Sequence, residues 1–84
     1  MTLANARKKI EKMGLELKRV GHLFYVEANN RVLEFNVNGG VDDNNDICCI
    51  LTRGKNDNHD SMTDYCAGVW RDNLTQGLKA LLRN

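Results

Sequence analysis

The cysteines and histidines are the residues of this sequence best suited to metal binding or nucleophilic catalysis. They are Cys48, Cys49, Cys66, His22 and His59. A structural zinc site needs four ligands, and adjacent residues of a strand point to opposite faces, so Cys48 and Cys49 are poorly placed to share one ion. Buried cysteines usually act as small hydrophobic residues. We therefore expect no metal site and no cofactor in this chain.

Thiol catalysis would need a base beside the nucleophile. Cys66 and His59 are the only Cys–His pair close in the sequence, and His59 lies in a polar stretch of Asn, Asp and Lys residues. Such a pair indicates catalysis only within a local signature, which is missing here. We expect that the protein is not an enzyme. If the strands carrying Cys49 and Cys66 form a hairpin, these two thiols lie opposite each other and could oxidise in vitro.

A calcium loop is suggested by Asp42, Asn44 and Asp46, which follow the spacing D-x-N-x-D. The EF-hand pattern continues with Gly at position 6 and Glu at position 12. Ile47 and Arg53 occupy those positions in this chain, so the pattern fails. Acidic and amide side chains are common in turns for conformational reasons alone.

Carboxylates gather in two polar stretches in the second half of the chain. A partner-binding acidic surface would use Asp42, Asp43, Asp46, Asp57, Asp60 and Asp64. These groups could imitate the phosphates of a nucleic acid along a groove, although the net charge of +1 argues against wholesale mimicry. The alternative is that the carboxylates only keep the turns soluble.

Basic residues gather in the first quarter of the chain. A nucleic-acid surface there would use Arg7, Lys8, Lys12, Lys18 and Arg19. Tyr25, Phe35 or Trp70 could stack on bases if exposed. The order of one helix, several strands and a second helix is that of a double-stranded-RNA-binding domain. However, the closing helix begins with Asp72-Asn73, where that family has a basic cluster that binds phosphates.

The composition is that of an ordinary globular domain. The chain has 84 residues, of which 42% are hydrophobic and 27% charged. The longest apolar run, residues 47–51, is far shorter than the roughly 20 residues that span a bilayer. The basic N-terminus has no apolar segment behind it and does not indicate a signal peptide. We expect a single domain over residues 1–84, a cytoplasmic location and no membrane partner.

The apolar spacing predicts two helices. Thr2 should cap the first and Gly14 should end it, and its apolar stripe is Leu3, Ala6, Ile10 and Met13. Asp72 or Asn73 should cap the closing helix, whose stripe is Leu74, Leu78, Leu81 and Leu82.

Strands are predicted at residues 15–20, 23–28, 31–38, 46–53 and 62–70. In the third, Leu33, Phe35 and Val37 should share one face. In the fourth, Ile47, Cys49 and Leu51 should share one face and Cys48, Ile50 and Thr52 the other. The predicted fold is α+β, an antiparallel meander sheet of four or five strands with both helices packed on one face.

Two groups of motifs resemble small proteins and accessory domains of bacteriophages and other mobile elements, including the large polyvalent protein-associated domains. They are residues 37–40 followed by 48–49, and residues 60–65 followed by 72–76. The resemblance covers roughly residues 14–80. It implies a module without established enzymatic activity. Small phage proteins of this kind commonly bind a host protein, and inhibitors of CRISPR–Cas complexes are prominent among them.

These observations lead to one main functional expectation and one alternative. The main expectation is a non-enzymatic, anti-defence (anti-CRISPR) inhibitor that occludes a host nuclease or surveillance complex. The alternative is a nucleic-acid-binding accessory domain that uses the basic first helix. A monomer and a homodimer both fit the sequence.

Overall fold

The fold is an antiparallel sheet with one helix before it and one after it. The structure is a computed structural model, and it describes residues 1–55 and 68–83. Along the chain its elements are α1 (Leu3–Lys12), β1 (Lys18–Val20), β2 (Leu23–Ala28), β3 (Arg31–Val37), β4 (Ile47–Gly54), β5 (Val69–Trp70) and α2 (Leu74–Leu81). The strands lie in the order β1-β2-β3-β4-β5. The predicted α+β meander is therefore confirmed.

Two predicted strands differ from those observed by more than one residue at an end. The first was expected over residues 15–20, but β1 begins at Lys18, and Leu15 and Leu17 instead pack against the core from the segment before it. Of the predicted strand 62–70, residues 69–70 form β5 and residues 62–67 lie outside the described part of the chain.

Helix α1 begins and ends at the residues that the sequence predicts. The Thr2 side chain accepts a hydrogen bond from the Asn5 N–H at 3.2 Å, and Gly14 takes the left-handed φ of +77° that commonly follows a helix. The fully buried side chains are Leu3, Ala6 and Ile10. Met13 was expected on the same stripe but is 43% exposed, because it lies beyond the last helical turn.

Helix α2 is capped by Asn73 rather than Asp72. The Asn73 side chain accepts from the Gln76 N–H at 2.9 Å. The buried face is Leu74, Gly77, Leu78 and Leu81, with Leu82 half-buried at the C-cap. A Cβ on Gly77 would lie 2.7 Å from Leu33 Cδ1, so glycine lets the helix approach the sheet closely.

One hydrophobic core holds both helices against the same face of the sheet. It contains Leu3, Ala6 and Ile10 of α1, Leu74, Leu78 and Leu81 of α2, and Phe24, Val26, Leu33, Phe35, Val37 and Ile50 of the sheet. The Phe24 and Phe35 rings stack with centroids 5.7 Å apart. Lys9 Nζ also donates to Thr75 Oγ1, which links the two helices at their surface.

Strand β4 contains an irregularity that the alternating pattern did not predict. Asn36 pairs with Cys48 and Glu34 with Leu51, so one more residue lies on β4 than on β3 between these pairs. Cys49 accommodates the extra residue with a φ of +55°. This arrangement is a β-bulge, with the bulged strand holding the additional residue.

The bulge changes which β4 side chains share a face. The predicted grouping of Ile47 with Cys49 and Leu51 is wrong. Ile47 and Ile50 pack against the helix-facing core, whereas Leu51 pairs with Glu34 and lies outside that core. A bulge inserts one residue, so side chains beyond it exchange faces relative to simple alternation.

Replacing Cys49 with glycine is expected to stabilise the protein. A non-glycine residue in the left-handed region costs roughly 1–2 kcal/mol, and glycine avoids that cost but loses about 0.4–1 kcal/mol to the entropy of the unfolded chain. We expect the free energy of unfolding to rise by about 0.5 kcal/mol in urea denaturation. Cys49→Ala is the control because it keeps the strained backbone. Equal urea midpoints for Cys49→Gly and Cys49→Ala would contradict the prediction.

Candidate anion-binding site

The basic residues predicted from the sequence lie on α1 and β1. Arg7 lies on α1 with a guanidinium nitrogen 3.6 Å from an Asp43 carboxylate oxygen. Lys8 and Lys12 are exposed on the same helix. Lys18 and Arg19 lie on β1, where Lys18 Nζ is 3.9 Å from Glu27. The predicted set is thus divided between two elements.

The first predicted acidic loop contacts the beginning of α1. Asp46 lies 3.7 Å from the N-terminal amine, and Asp43 pairs with Arg7. Asp42 Oδ1 accepts from the Asn44 N–H at 2.9 Å, which closes a local turn. These carboxylates therefore stabilise the loop and the N-terminal end of α1, where negative charge is favourable.

Backbone bonds fix the same loop to α1. The Leu3 N–H donates to the Asn45 carbonyl at 2.9 Å and the Ala4 N–H donates to the Asp43 carbonyl at 3.1 Å. These bonds satisfy donors that the first turn of a helix leaves unpaired. The other predicted carboxylates, Asp57, Asp60 and Asp64, lie outside the described residues.

Four arginines that the sequence analysis did not group together line one cavity. The cavity has a volume of about 300 Å³, and we call it the arginine pocket. Its described lining is Arg31, Arg53, Arg71 and Arg83, with Thr52, Gly54, Val69 and Ala80. This described lining contains no carboxylate.

The strand register explains why these arginines converge. Arg31 opens β3 and pairs with Gly54, the last residue of β4, and Val32 pairs with Arg53. Arg71 directly follows β5, which pairs with β4 through Thr52 and Val69. Arg83 follows the end of α2. Positions far apart in sequence are thus brought to one end of the sheet.

Arg31 joins the pocket to the C-terminal end of α2. Its Nη1 donates to the Ala80 carbonyl at 2.9 Å and also to the Arg83 carbonyl. The last carbonyls of a helix have no partner within the helix and attract cations. These hydrogen bonds therefore fix the Arg31 guanidinium at the wall of the pocket.

Thr52 orients Arg71. The Arg71 Nε–H donates to Thr52 Oγ1 at 2.8 Å, and the backbone N–H of Arg71 donates to the Ile50 carbonyl at 2.7 Å. Thr52 is buried, so the hydroxyl is held in place. A guanidinium has five N–H donors, and the bond to Thr52 uses one of them. No described residue accepts from the Arg71 Nη groups.

Arg53 forms the ion pair closest to the pocket. Its Nε lies 3.2 Å from Glu34 Oε2, and its Nη1 donates to the Gly54 carbonyl at 3.1 Å. Glu34 is only 4% exposed and is the one charged residue that is buried in the described part of the chain. Because Arg53 pairs with Val32, the ion pair lies on the face of the sheet opposite to Arg31 and neutralises the Arg53 charge. The remaining positive charges of the described lining are then those of Arg31, Arg71 and Arg83.

The arginine pocket and the first acidic loop lie at opposite ends of β3. The arginine pocket lies where β3 begins, and the loop containing Asp42, Asp43 and Asp46 lies beyond the end of the strand. Seven strand residues at about 3.3 Å each place these ends about 20 Å apart. A concave cluster of guanidiniums suits phosphate or carboxylate ligands, which guanidinium groups bind with paired hydrogen bonds.

The two described cysteines, Cys48 and Cys49, are neighbours on β4. Cys48 is half-buried and Cys49 is exposed. Burial raises the pKa of the Cys48 thiol, and the neighbouring Cys49 contributes in the same direction. A raised pKa lowers the thiolate fraction needed for nucleophilic attack. Residues 1–55 and 68–83 contain no group of three or more His, Cys, Asp or Glu side chains able to hold a metal ion.

Comparisons with protein-family models, with curated proteins and with solved structures found no match to this chain. The resemblance to mobile-element accessory domains therefore stays a prediction. Among the described residues, no helix is long and apolar enough to cross a membrane.

Proposed function

We propose that this protein is a non-enzymatic domain that binds nucleic acid at the arginine pocket. The observation that carries the proposal is the convergence of Arg31, Arg53, Arg71 and Arg83 on one cavity whose described lining holds no carboxylate. The proposal keeps the partner class of the sequence-based alternative but moves the binding site from α1 to the pocket.

The chemistry of the pocket matches phosphate groups. Guanidinium forks donate paired, charge-assisted hydrogen bonds to phosphate oxygens. Arg31 and Arg71 are already held by Ala80 and Thr52, so less side-chain freedom is lost when a ligand binds. The exposed Lys8 and Lys12 of α1 would add only general electrostatic attraction. We place this activity in the cytoplasm, that of the host cell if the chain is phage-encoded.

Replacing Arg71 and Arg83 together with glutamine should weaken binding by about 100-fold, because each charge-assisted hydrogen bond contributes about 1.5 kcal/mol or more. The measurement is fluorescence anisotropy with single-stranded and double-stranded oligonucleotides labelled at the 3′ end. Each lost phosphate contact should also reduce the slope of log K against log salt by about 0.7 for single strands and about 0.9 for duplex.

The matched control is Lys8→Gln with Lys12→Gln, which removes the same charge from α1. We expect this control to weaken binding by less than about threefold, because it removes no pocket contact. Circular dichroism and thermal melting of each variant report whether it is folded. Equal losses of nucleic-acid affinity in the two double variants would contradict the pocket as the binding site. Absence of binding by the wild-type protein at low salt would refute the proposed function.

A protein-inhibitor function is the second candidate, and the exposed edge strand β5 favours it. Val69 is 53% and Trp70 57% exposed, and β5 is the last strand of the sheet in the described part of the chain. An exposed strand edge can pair with a strand of another protein, and tryptophan is common at the centre of interfaces. An inhibitor that binds its partner through the first acidic loop has less support, because Asp43 and Asp46 contact the start of α1.

A tagged pull-down from bacterial lysate, with and without nuclease, separates the two candidates. A stoichiometric protein that survives nuclease and is lost on Trp70→Ser would support the inhibitor. A triple variant with Asn at Asp57, Asp60 and Asp64 tests the second acidic stretch in the same assay. Recovery of nucleic acid, with proteins lost after nuclease treatment, would support the pocket instead.

A further inference from the structure

The arginine pocket is compact rather than extended. Ligand pockets commonly measure about 300–1,000 Å³, and the volume of about 300 Å³ is at the lower end of this range. A protein that follows a nucleic-acid backbone instead presents a basic groove along which successive phosphates lie. Arg31, Arg71 and Arg83 together offer this small cavity more N–H donors than the two terminal oxygens of one internal phosphodiester can accept.

A terminal phosphate differs from an internal one in its net charge and in the number of oxygens that can accept hydrogen bonds. A phosphomonoester carries about −1.5 to −2 charge at pH 7 and offers three terminal oxygens. An internal phosphodiester carries one negative charge and has two such oxygens. A cluster of positive groups therefore attracts the monoester more strongly, and several guanidinium forks can be satisfied at once.

The fixed directions of the arginines support a ligand of this kind. Arg31 is held by carbonyls at the end of α2 and Arg71 by Thr52. These contacts come from two different elements and hold two of the guanidiniums of one cavity in place. Preorganised donors around a single point favour one compact, highly charged group.

We infer that the arginine pocket binds the terminal phosphomonoester of a nucleic-acid strand, so that the protein recognises strand ends. This inference rests on the proposed function, because it specifies the part of the nucleic acid that occupies the same site. The remaining nucleotides then lie outside the cavity, where the exposed Lys8 and Lys12 add only general electrostatic attraction.

The test compares oligonucleotides of identical sequence that carry a 5′-phosphate, a 3′-phosphate or hydroxyls at both ends, with the fluorophore attached internally. We expect one phosphorylated form to bind about tenfold more tightly than the hydroxyl form, because its end group carries the additional charge. The preferred oligonucleotide identifies which end is recognised. Lys8→Gln with Lys12→Gln should preserve this preference.

Arg71→Lys with Arg83→Lys distinguishes recognition of the end from general attraction. Lysine keeps the charge but lacks the planar fork, so binding of the phosphorylated oligonucleotide should weaken more than binding of the hydroxyl oligonucleotide, and the preference should disappear. This inference would be overturned if the wild-type protein bound all three oligonucleotides with equal affinity. If Arg71→Gln with Arg83→Gln still weakened that binding, the proposed function would stand. No binding to any of the three would overturn both.

Discussion

Replacing Phe35 with alanine is expected to lower the free energy of unfolding by about 4 kcal/mol. Phe35 is fully buried in the middle of β3 and stacks on Phe24. The substitution removes the apolar contacts of the ring and leaves a cavity that the neighbouring strands and helices cannot fill. A domain of 84 residues has a total stability of about 4–12 kcal/mol, so the variant should be near the limit of folding.

Urea denaturation followed by circular dichroism measures this loss. Phe35→Leu is the control, because it retains most of the apolar volume and should lose only about 1.5 kcal/mol. Tyr25→Ala, a half-buried position on β2, should lose less than Phe35→Ala. A loss below about 1 kcal/mol for Phe35→Ala would contradict the central place of this ring in the core.

Replacing Glu34 with alanine is expected to lower the free energy of unfolding by about 3 kcal/mol. The Glu34 side chain is 5% exposed and that of Arg53 is 17% exposed, with 3.2 Å between Oε2 and Nε. Removing the carboxylate takes away the balancing charge of a largely buried guanidinium, which is costly in a medium that solvates charge poorly. Thermal and urea unfolding measure the effect.

The double variant Glu34→Leu with Arg53→Leu, compared with Glu34→Ala, shows whether the loss of stability comes from the unpaired guanidinium. Replacing both members of a buried ion pair with apolar side chains is often neutral, so this variant should recover most of the stability lost by Glu34→Ala. Because Glu34→Ala also removes a negative charge beside the arginine pocket, its folded fraction should bind nucleic acid at least as tightly as the wild type. Weaker binding per folded molecule would contradict the proposed role of the pocket.

Local patterns were sufficient to predict most of the fold. Thr2 and Gly14 bound α1 because capping and left-handed conformations depend on the residue itself and its near neighbours. The alternation of Leu33, Phe35 and Val37 identified the buried face of β3 because successive side chains of a strand point to opposite faces. Both kinds of information lie within a few residues of the chain.

The bulge and the pocket depend on information that no local pattern holds. Nothing in the residues around Cys49 requires a positive φ, and the extra residue follows from how β4 pairs with β3. Arg31, Arg53, Arg71 and Arg83 are widely spaced in the sequence, and only the strand register and the end of α2 bring them together. The contacts of the first acidic loop with α1 are also long-range, so the sequence alone does not predict them.

Titration of the isotope-labelled protein with a single-stranded oligonucleotide, followed by NMR spectra of the backbone amides, tests the arginine pocket most directly. Binding at the pocket predicts that the largest shifts occur at Thr52, Gly54, Arg71 and Arg83 and that they reverse at high salt. Shifts that are largest at Lys8 and Lys12, with the pocket amides unchanged, would contradict the proposal and return the binding site to α1.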